Sequence, residues 1–383
     1  MHPATADKNH ALTPSRIVRS FTPNWFAATM GTGILAIGLG QFPDIAVLHV
    51  AGCLLWMLNI GLFALFSGIY AMTWLRHFDV AREMLEHPTM SMSLGCIPMG
   101  LATIVNGLLL FGIPLIGDIA IAIAAVLWWI DAALAMACGL AVPFLMFTRQ
   151  KHAIEQMTAV WLLPVVACEV AAVSGGLLLP YLAEGAAQLE MLLLCYVLWA
   201  CSVPLAVSLI AILMLRLAVH KLPDASAAAS SWLALGPLGT GALAMLLCGG
   251  NAPAVLGSTP LQPFADAIGG ASIMAGVLLW GYGFWWLAMA SLITARYFRS
   301  HVPFNLGWWG YTFPLGVFSV ATIHLADLFP LGLLRGLGIG LITALAVIWA
   351  VVMTRTVIGA WNGQLFPRPA VAPAAAVALK QAA

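Results

Sequence analysis

Long apolar stretches separated by short polar segments cover most of the 383-residue chain. There are ten of them, at 24–42, 45–74, 90–112, 118–147, 158–181, 189–218, 232–252, 265–294, 304–328 and 331–358. An α-helix needs about 20 apolar residues to cross a bilayer, which most of these stretches supply. Membrane β-strands would instead alternate strictly over about ten residues, and no such alternation is seen. The pattern therefore predicts an all-α membrane protein with ten transmembrane helices.

Composition and charge placement support this class. Hydrophobic residues make up 62% of the chain and charged residues only 8%, with a mean hydropathy of +1.00. A soluble globular domain, in which about a quarter of the residues are charged, is excluded. In a ten-helix topology, fourteen of the fifteen Lys and Arg residues fall on one side, and only Arg335 falls on the other. The positive-inside rule then predicts that both termini are cytoplasmic. We expect the protein in the inner (plasma) membrane of the cell.

The same reading gives a transport domain flanked by two tails. We expect a cytoplasmic N-terminal tail at 1–20, a transmembrane domain at 21–361 and a cytoplasmic C-terminal tail at 362–383, with both tails mobile. Arg16 and Arg19 precede an apolar run without a small-residue cleavage site, so the first helix should be retained. The seven cysteines show no metal-ligand spacing and are interpreted as packing residues, so no metal or cofactor is predicted.

Every odd-numbered segment is interrupted by Pro or Gly in its first half. Four of the interrupting prolines recur at intervals of 66, 73 and 77 residues. The even-numbered segments are longer and rich in Trp, and their prolines Pro143 and Pro204 lie toward one end. This alternation predicts five repeated helical hairpins around a central pore, with the Trp-rich helices facing lipid or neighbouring protomers.

The segment 304–329 shows why the interruptions indicate a pathway. Pro314 has no N–H, so within a helix it would leave a carbonyl unpaired that must face protein or a water-filled cavity. One such kink is commonly a packing feature, but its recurrence in every odd segment favours a central pathway. The residues predicted near it are Gly31, Gly33, Pro98, Gly100, Pro164, Pro237, Gly239, Phe313, Pro314 and Gly316.

Few ionisable residues fall deep inside the apolar segments, and each is a functional candidate because charge is costly there. Asp131 in segment four is either functional or bonded to neighbouring hydroxyls or backbone. Glu169 in segment five is a candidate for proton coupling, since burial disfavours the charged form of a carboxyl group. His324 and Asp327 share a helical face, which leaves open a proton-responsive pair or a solvated outer end of segment nine.

Three stretches resemble the tellurite-resistance/dicarboxylate transporter family: FTPNWFAATMGTG at 21–33, WLLPVV at 161–166 and FNLGWWGYTFPLGVFSVAT at 304–322. That family includes slow anion channels, tellurite-resistance channels, malate permeases and sulfite pumps. The resemblance covers roughly 21–360 and implies five hairpins around a pore made by the odd helices, in a homotrimer with one pore per protomer. It also implies an aromatic gate on helix nine, which matches Phe313. From the residues alone, the ring could instead pack against Phe304, Trp308 or Phe318.

These observations together predict transport of a small anion, with sulfite or a C4-dicarboxylate such as malate favoured. The alternative is a passive channel for chloride, nitrate or tellurite. An enzyme is not expected, because the chain has no phosphate loop, no H-E-x-x-H motif and no catalytic triad arrangement. A sensor or scaffold without flux is the third class. The expected partners are the anion and the lipid bilayer, with no indication of a nucleic acid.

Overall fold

The computed structural model describes residues 13–366, which form thirteen α-helices and no β-strand. The helices are α1 (Pro14–Ser20), α2 (Phe26–Gly40), α3 (Ala46–Arg76), α4 (Phe78–Glu86), α5 (Cys96–Gly107), α6 (Ile113–Ile116), α7 (Asp118–Thr148), α8 (Leu163–Leu178), α9 (Ala186–His220), α10 (Leu235–Leu256), α11 (Ala265–Tyr297), α12 (Phe313–Leu328) and α13 (Gly332–Trp361). The amphipathic helix α4 lies between two predicted segments and was not expected from the apolar pattern.

Buried and exposed helices alternate along the chain. We call α2, α5, α8, α10 and α12 the inner helices, because nearly all of their residues are buried. We call α3, α7, α9, α11 and α13 the outer helices; they have 30 to 35 residues each, most of them accessible. In the most apolar 18-residue stretch of Ala159–Tyr181, 89% of the residues are buried. In the corresponding stretch of Ala186–His220, only 33% are buried. The inner helices correspond to the odd-numbered segments of the sequence.

The membrane class is confirmed. Within residues 13–366, eight helical runs are long and apolar enough to cross a bilayer. The inner helices α2 and α12, with 15 and 16 residues, are shorter than the 18 residues that this criterion requires. Each is extended at its start by a 3₁₀ turn, at Pro23–Trp25 and Leu306–Tyr311. The count of ten spanning helices therefore stays a prediction.

The interruptions of the inner helices are changes from 3₁₀ to α-helix. A 3₁₀ segment precedes each inner helix, and Pro164 and Pro314 are the second residues of α8 and α12. Pro98 and Pro237 are the third residues of α5 and α10. N–H groups in a first helical turn have no intrahelical partner, so proline costs no hydrogen bond there. The expectation that these prolines break a continuous helix is wrong, because they begin one.

A tryptophan of each outer helix donates its indole N–H to an inner helix. The five bonds are Trp56 to the Ile104 carbonyl (3.3 Å), Trp128 to the Ala171 carbonyl (2.9 Å), Trp199 to the Gly241 carbonyl (3.0 Å), Trp280 to the Thr322 hydroxyl (2.9 Å) and Trp349 to the Thr32 hydroxyl (3.1 Å). The fifth bond runs from the last helix, α13, back to α2. The hairpins therefore close into a ring. Of the outer-helix tryptophans expected to face lipid, Trp129 and Trp285 are exposed, but Trp128 and Trp286 are buried.

We expect Trp199→Phe to lower the stability of the folded protein by about 1 kcal/mol, because a ring remains but the donor to Gly241 is lost. The matched control is Trp285→Phe, since Trp285 is 43% exposed. The measurement is the melting temperature of each purified variant in the same detergent. Equal melting temperatures for the two variants would show that the indole bonds contribute nothing.

Parts of both predicted tails are ordered. Thr73 donates to the Val18 carbonyl at 2.8 Å, which holds α1 against α3. The Arg16 guanidinium donates to the Phe366 carbonyl at 2.8 Å, and the Phe366 ring stacks on Trp25 with centroids 5.0 Å apart. The expectation of mobile tails is therefore wrong for 13–20 and 362–366. The remaining tail residues, 1–12 and 367–383, lie outside the described residues.

Candidate functional site

Two cavities lie between the inner helices. The N-side cavity, about 330 Å³, lies among the 3₁₀ turns and the first residues of the inner helices. The C-side cavity, about 190 Å³, lies further along the same five helices. Both walls are made by the inner helices, the short segments before them and a few adjoining loop residues, and the outer helices supply no wall residue. This arrangement is the one expected of a pathway through the centre of the ring.

Phe313 is the residue that the two cavity walls share. It is the first residue of α12, and its side chain is 4% exposed. Within the described part of the chain, its ring takes part in no aromatic pair, whereas Phe304 packs on Trp308 and Phe318 stacks on Trp280. Phe313 therefore lies at the boundary between the cavities rather than in an aromatic cluster.

The five glycines predicted near the pathway lie where inner helices contact each other or neighbouring side chains, and none is a wall residue. A Cβ atom on Gly239 would lie 2.8 Å from the Phe318 backbone nitrogen. One on Gly316 would lie 2.5 Å from Cγ1 of Ile34. Gly31, Gly33 and Gly100 face the side chains of Thr312, Thr103 and Thr29 in the same way. Small residues let helices approach closely, so these glycines set the spacing of the inner ring.

Among the prolines predicted near the pathway, Pro314 belongs to the N-side wall. Pro98, Pro164 and Pro237 belong to neither wall. Their positions in the first turns of α5, α8 and α10 give them a role in starting the inner helices instead.

The cavity walls are mainly apolar, with polar side chains at intervals, and carry almost no charge. No Lys, Arg, Asp or Glu from residues 13–366 lines either cavity. Hydroxyl and amide side chains line both, and those in the N-side wall are Asn24, Thr89, Ser93, Gln156, Thr158, Ser226, Ser230 and Asn305. The first turns of the inner helices, where unpaired N–H groups and the positive end of the helix dipole are found, lie at this cavity. Such a surface can solvate an anion without holding it tightly.

Two buried carboxyl groups lie away from the cavities. Asp131 on α7 and Glu169 on α8 are 1% and 0% exposed, and none of their carboxyl oxygens has a hydrogen-bond partner in the described structure. The hydroxyl or backbone partner considered for Asp131 is therefore not found. Glu169 lies between Val166 of the N-side wall and Val170 of the C-side wall, but is a member of neither. The structure thus places Glu169 level with the boundary between the cavities, behind the wall.

His324 and Asp327 lie in different surroundings. His324 contributes to the wall of the C-side cavity. Asp327 accepts a hydrogen bond from the Arg335 guanidinium at 2.8 Å, and both side chains are 51% exposed. An exposed ion pair of this kind contributes little to stability. No hydrogen bond or ion pair joins His324 to Asp327 in the described structure, and the proton-responsive pair stays a prediction.

A ring of apolar helices around two cavities, with one phenylalanine between them, is the architecture of a membrane channel or transporter. Residues 20–357 match the family model SLAC1, described as voltage-dependent anion channel. The protein belongs to this family, and its function is the transport of anions across a membrane. The resemblance and the transport function predicted from the sequence are confirmed.

Curated relatives match over nearly the whole chain. A sulfite efflux pump of Arthroderma benhamiae is 38% identical over 355 residues, covering 91% of this chain and 93% of the relative. An uncharacterized transporter of Methanocaldococcus jannaschii is 28% identical over 358 residues, covering 91% and 96%. A malic acid transport protein of Schizosaccharomyces pombe is 23% identical over 322 residues, covering 82% and 72%.

Sequence reasoning missed the polar residues of the C-side wall, among them Asn106 and Thr240. Both lie on odd-numbered segments, and both interrupt an apolar run. Such an interruption is a usable signal, but Thr and Asn also occur on packing faces, so the sequence alone does not select them.

Proposed function

We propose that this multi-pass membrane protein carries sulfite across the plasma membrane, through the two cavities and past Phe313. The observation that carries the proposal is that, among the described residues, Phe313 alone is shared by two cavities whose walls contain hydroxyl and amide groups but no Lys, Arg, Asp or Glu. Sulfite is favoured as the substrate because the sulfite efflux pump is 38% identical over 91% of the chain, against 23% over 82% for the malic acid transport protein. Malate is the second candidate substrate.

In this mechanism the Phe313 ring closes the path. A ring between the two cavities removes the waters that a permeating ion would otherwise keep, so it blocks both by size and by dewetting. Anions enter without a fixed basic residue, held briefly by hydroxyl and amide donors and by the ends of the inner helices. Weak binding at several sites is what allows an ion to leave as well as to enter.

Anion flux into proteoliposomes tests the proposal. Purified protein is reconstituted, and uptake of sulfite, malate, chloride, nitrate and tellurite is compared with and without a pH gradient. We expect sulfite to give the highest rate. A higher rate for malate would show that a dicarboxylate is the preferred substrate. Rates equal to those of empty vesicles for every anion would refute transport by this protein.

The proposed orientation places both termini in the cytoplasm, with 21–361 as the transport domain. Single cysteines at positions 44 or 184, in a cysteine-free background, should react with an impermeant reagent from outside the cell. Cysteines at positions 79 or 152 should react only from inside. The reverse labelling would overturn the orientation. The proposed assembly is a homotrimer with one pathway per protomer, which the mass of the detergent-solubilised protein tests.

Glu169 is proposed to couple transport to protons. An ionised carboxylate buried without a partner costs several kcal/mol, so the group should be neutral when the anion passes at its level. Glu169→Gln mimics the neutral acid and should keep the rate that wild type has at pH 5. With nitrate as the permeant ion, whose charge does not change over this range, we expect the wild-type rate to fall as pH rises to 8 and the variant rate to stay level. Identical pH profiles would remove Glu169 from the mechanism.

A further inference from the structure

We infer that the C-side cavity contains a binding site for a small, singly charged oxyanion, formed by the hydroxyl of Thr240 and the amide of Asn106. The inference rests on the proposed transport function, and the site is a position along the path at which the anion binds. Both residues contribute to the cavity wall. Thr240 is 1% exposed and Asn106 is 8% exposed, so each is a buried polar side chain at the edge of a cavity.

The Thr240 hydroxyl is exceptional among the buried hydroxyls of the inner helices. The others each donate to a carbonyl three or four residues earlier in their own helix: Thr29, Thr32, Thr103, Ser174, Ser319 and Thr322. The Thr240 oxygen has no partner in the described structure. A buried hydroxyl without a partner costs about 1 to 3 kcal/mol. A ligand that accepts a hydrogen bond from this hydroxyl would remove that cost.

Asn106 is the second unpartnered group. Its Oδ1 atom is buried without a hydrogen-bond partner, and no described residue accepts from its amide. The neighbouring polar wall residue Thr103 differs, because it accepts from Asn59 and donates to the Gly100 carbonyl. Asn106 can therefore donate hydrogen bonds from its amide N–H groups to an anion and accept a hydrogen bond from a ligand O–H group.

The location fits a site just beyond the proposed gate. Gly239 packs on the backbone of Phe318, which is five residues after Phe313 in α12. Five residues correspond to about 7.5 Å along a helix. Thr240 therefore lies about one and a half turns past the ring. A cavity of about 190 Å³ holds a small oxyanion with a few waters, given about 30 Å³ for each water.

The lack of basic residues in the C-side wall determines which anions can bind there. His324 and Tyr181 are the titratable side chains of the C-side wall, and no Lys or Arg of residues 13–366 contributes to it. Removing a doubly charged ion from water costs far more than removing a singly charged one, and neutral donors do not repay that cost. Hydrogen sulfite and nitrate fit this surface, whereas sulfate does not.

Anion-induced stabilisation in detergent tests the site without requiring flux. In mildly acidic buffer, where sulfite is present mainly as hydrogen sulfite, we expect sodium sulfite and sodium nitrate to raise the melting temperature of the wild type, because a ligand that binds only the folded state stabilises it. Thr240→Val and Asn106→Leu keep the side-chain size and should weaken binding about tenfold or more, as expected for a lost hydrogen bond to a charged group. Sulfate stabilises proteins by exclusion from their surface, so its effect should be the same in all variants.

Two further variants separate binding from packing. Thr240→Ser retains the hydroxyl and should bind like the wild type. Thr29→Val removes a buried hydroxyl that already donates to the Phe26 carbonyl and belongs to neither wall, so anion binding should be unchanged. Stabilisation of wild type by sulfite or nitrate that persists in Thr240→Val or in Asn106→Leu would overturn the site, as would no stabilisation of the wild type. Sulfite flux in vesicles reports separately on the proposed function.

Discussion

Phe313→Ala should raise anion flux by on the order of tenfold or more. The ring is the wall element that both cavities share, and its removal would join them into one continuous space. Lowering the barrier by only about 1.4 kcal/mol is enough for a tenfold increase. Folding should be retained, because the ring fills the boundary of a cavity and, within residues 13–366, takes part in no aromatic pair. Sulfite or chloride current across a planar bilayer containing equal amounts of protein measures the effect.

Phe318→Ala is the matched control for this experiment. Phe318 lies on the same helix and is fully buried, but it stacks on Trp280 and belongs to neither wall. Its truncation leaves a cavity that costs about 3 to 5 kcal/mol, with no gain in flux expected. If Phe313→Ala instead behaves like Phe318→Ala, with a lower melting temperature and unchanged current, Phe313 is a packing residue and not a gate.

Gly239→Val should prevent or severely weaken folding. A Cβ atom at this position would lie 2.8 Å from the backbone nitrogen of Phe318, and a backbone atom does not move aside as a flexible side chain does. Valine adds two further methyl groups, which would push α10 and α12 apart. Overpacking typically costs about 1 to 3 kcal/mol and occasionally more. The fraction of protein that elutes as a single species after mild heating in detergent measures the loss.

The same substitution at Gly281 provides the comparison. Gly281 lies in the outer helix α11, and a Cβ atom there would have nothing within 4 Å. Gly281→Val should therefore leave the eluted fraction close to that of the wild type. Equal loss at both positions would mean that valine acts through helix propensity and not through the contact between α10 and α12.

The alternation of inner and outer helices could be predicted from the sequence, because the odd-numbered and even-numbered segments differ in composition. A Gly or Pro in each odd segment and longer Trp-rich even segments follow from which helices must approach closely and which meet lipid. The position of Phe313 came from the family resemblance, and its place between two cavities needed coordinates. Apolar periodicity does not say which face of a fully buried helix meets a lumen.

The function of the interrupting residues was harder to predict. Pro164 and Pro314 were interpreted as breaks within a helix, because the sequence does not show the 3₁₀ turns that precede them. In the first turn of a helix, however, proline disrupts no hydrogen bond. The sequence also contains a spacing pattern from which the ring of indole hydrogen bonds could have been predicted. Trp56, Trp128 and Trp199 lie 72 and 71 residues apart, near the spacing of the prolines, and the bonds recur with them. Which neighbour each indole meets depends on how the hairpins pack.

Blocking the current from inside the C-side cavity tests the pathway most directly. In a cysteine-free Phe313→Ala protein, a single cysteine replaces Val320 of the C-side wall or Leu278, which is 69% exposed on α11. A charged thiol reagent is added while the anion current is recorded. The account predicts that the reagent blocks the current through the Val320→Cys protein and leaves the Leu278→Cys current unchanged. A current that persists after complete modification at position 320 would show that anions do not pass between the inner helices.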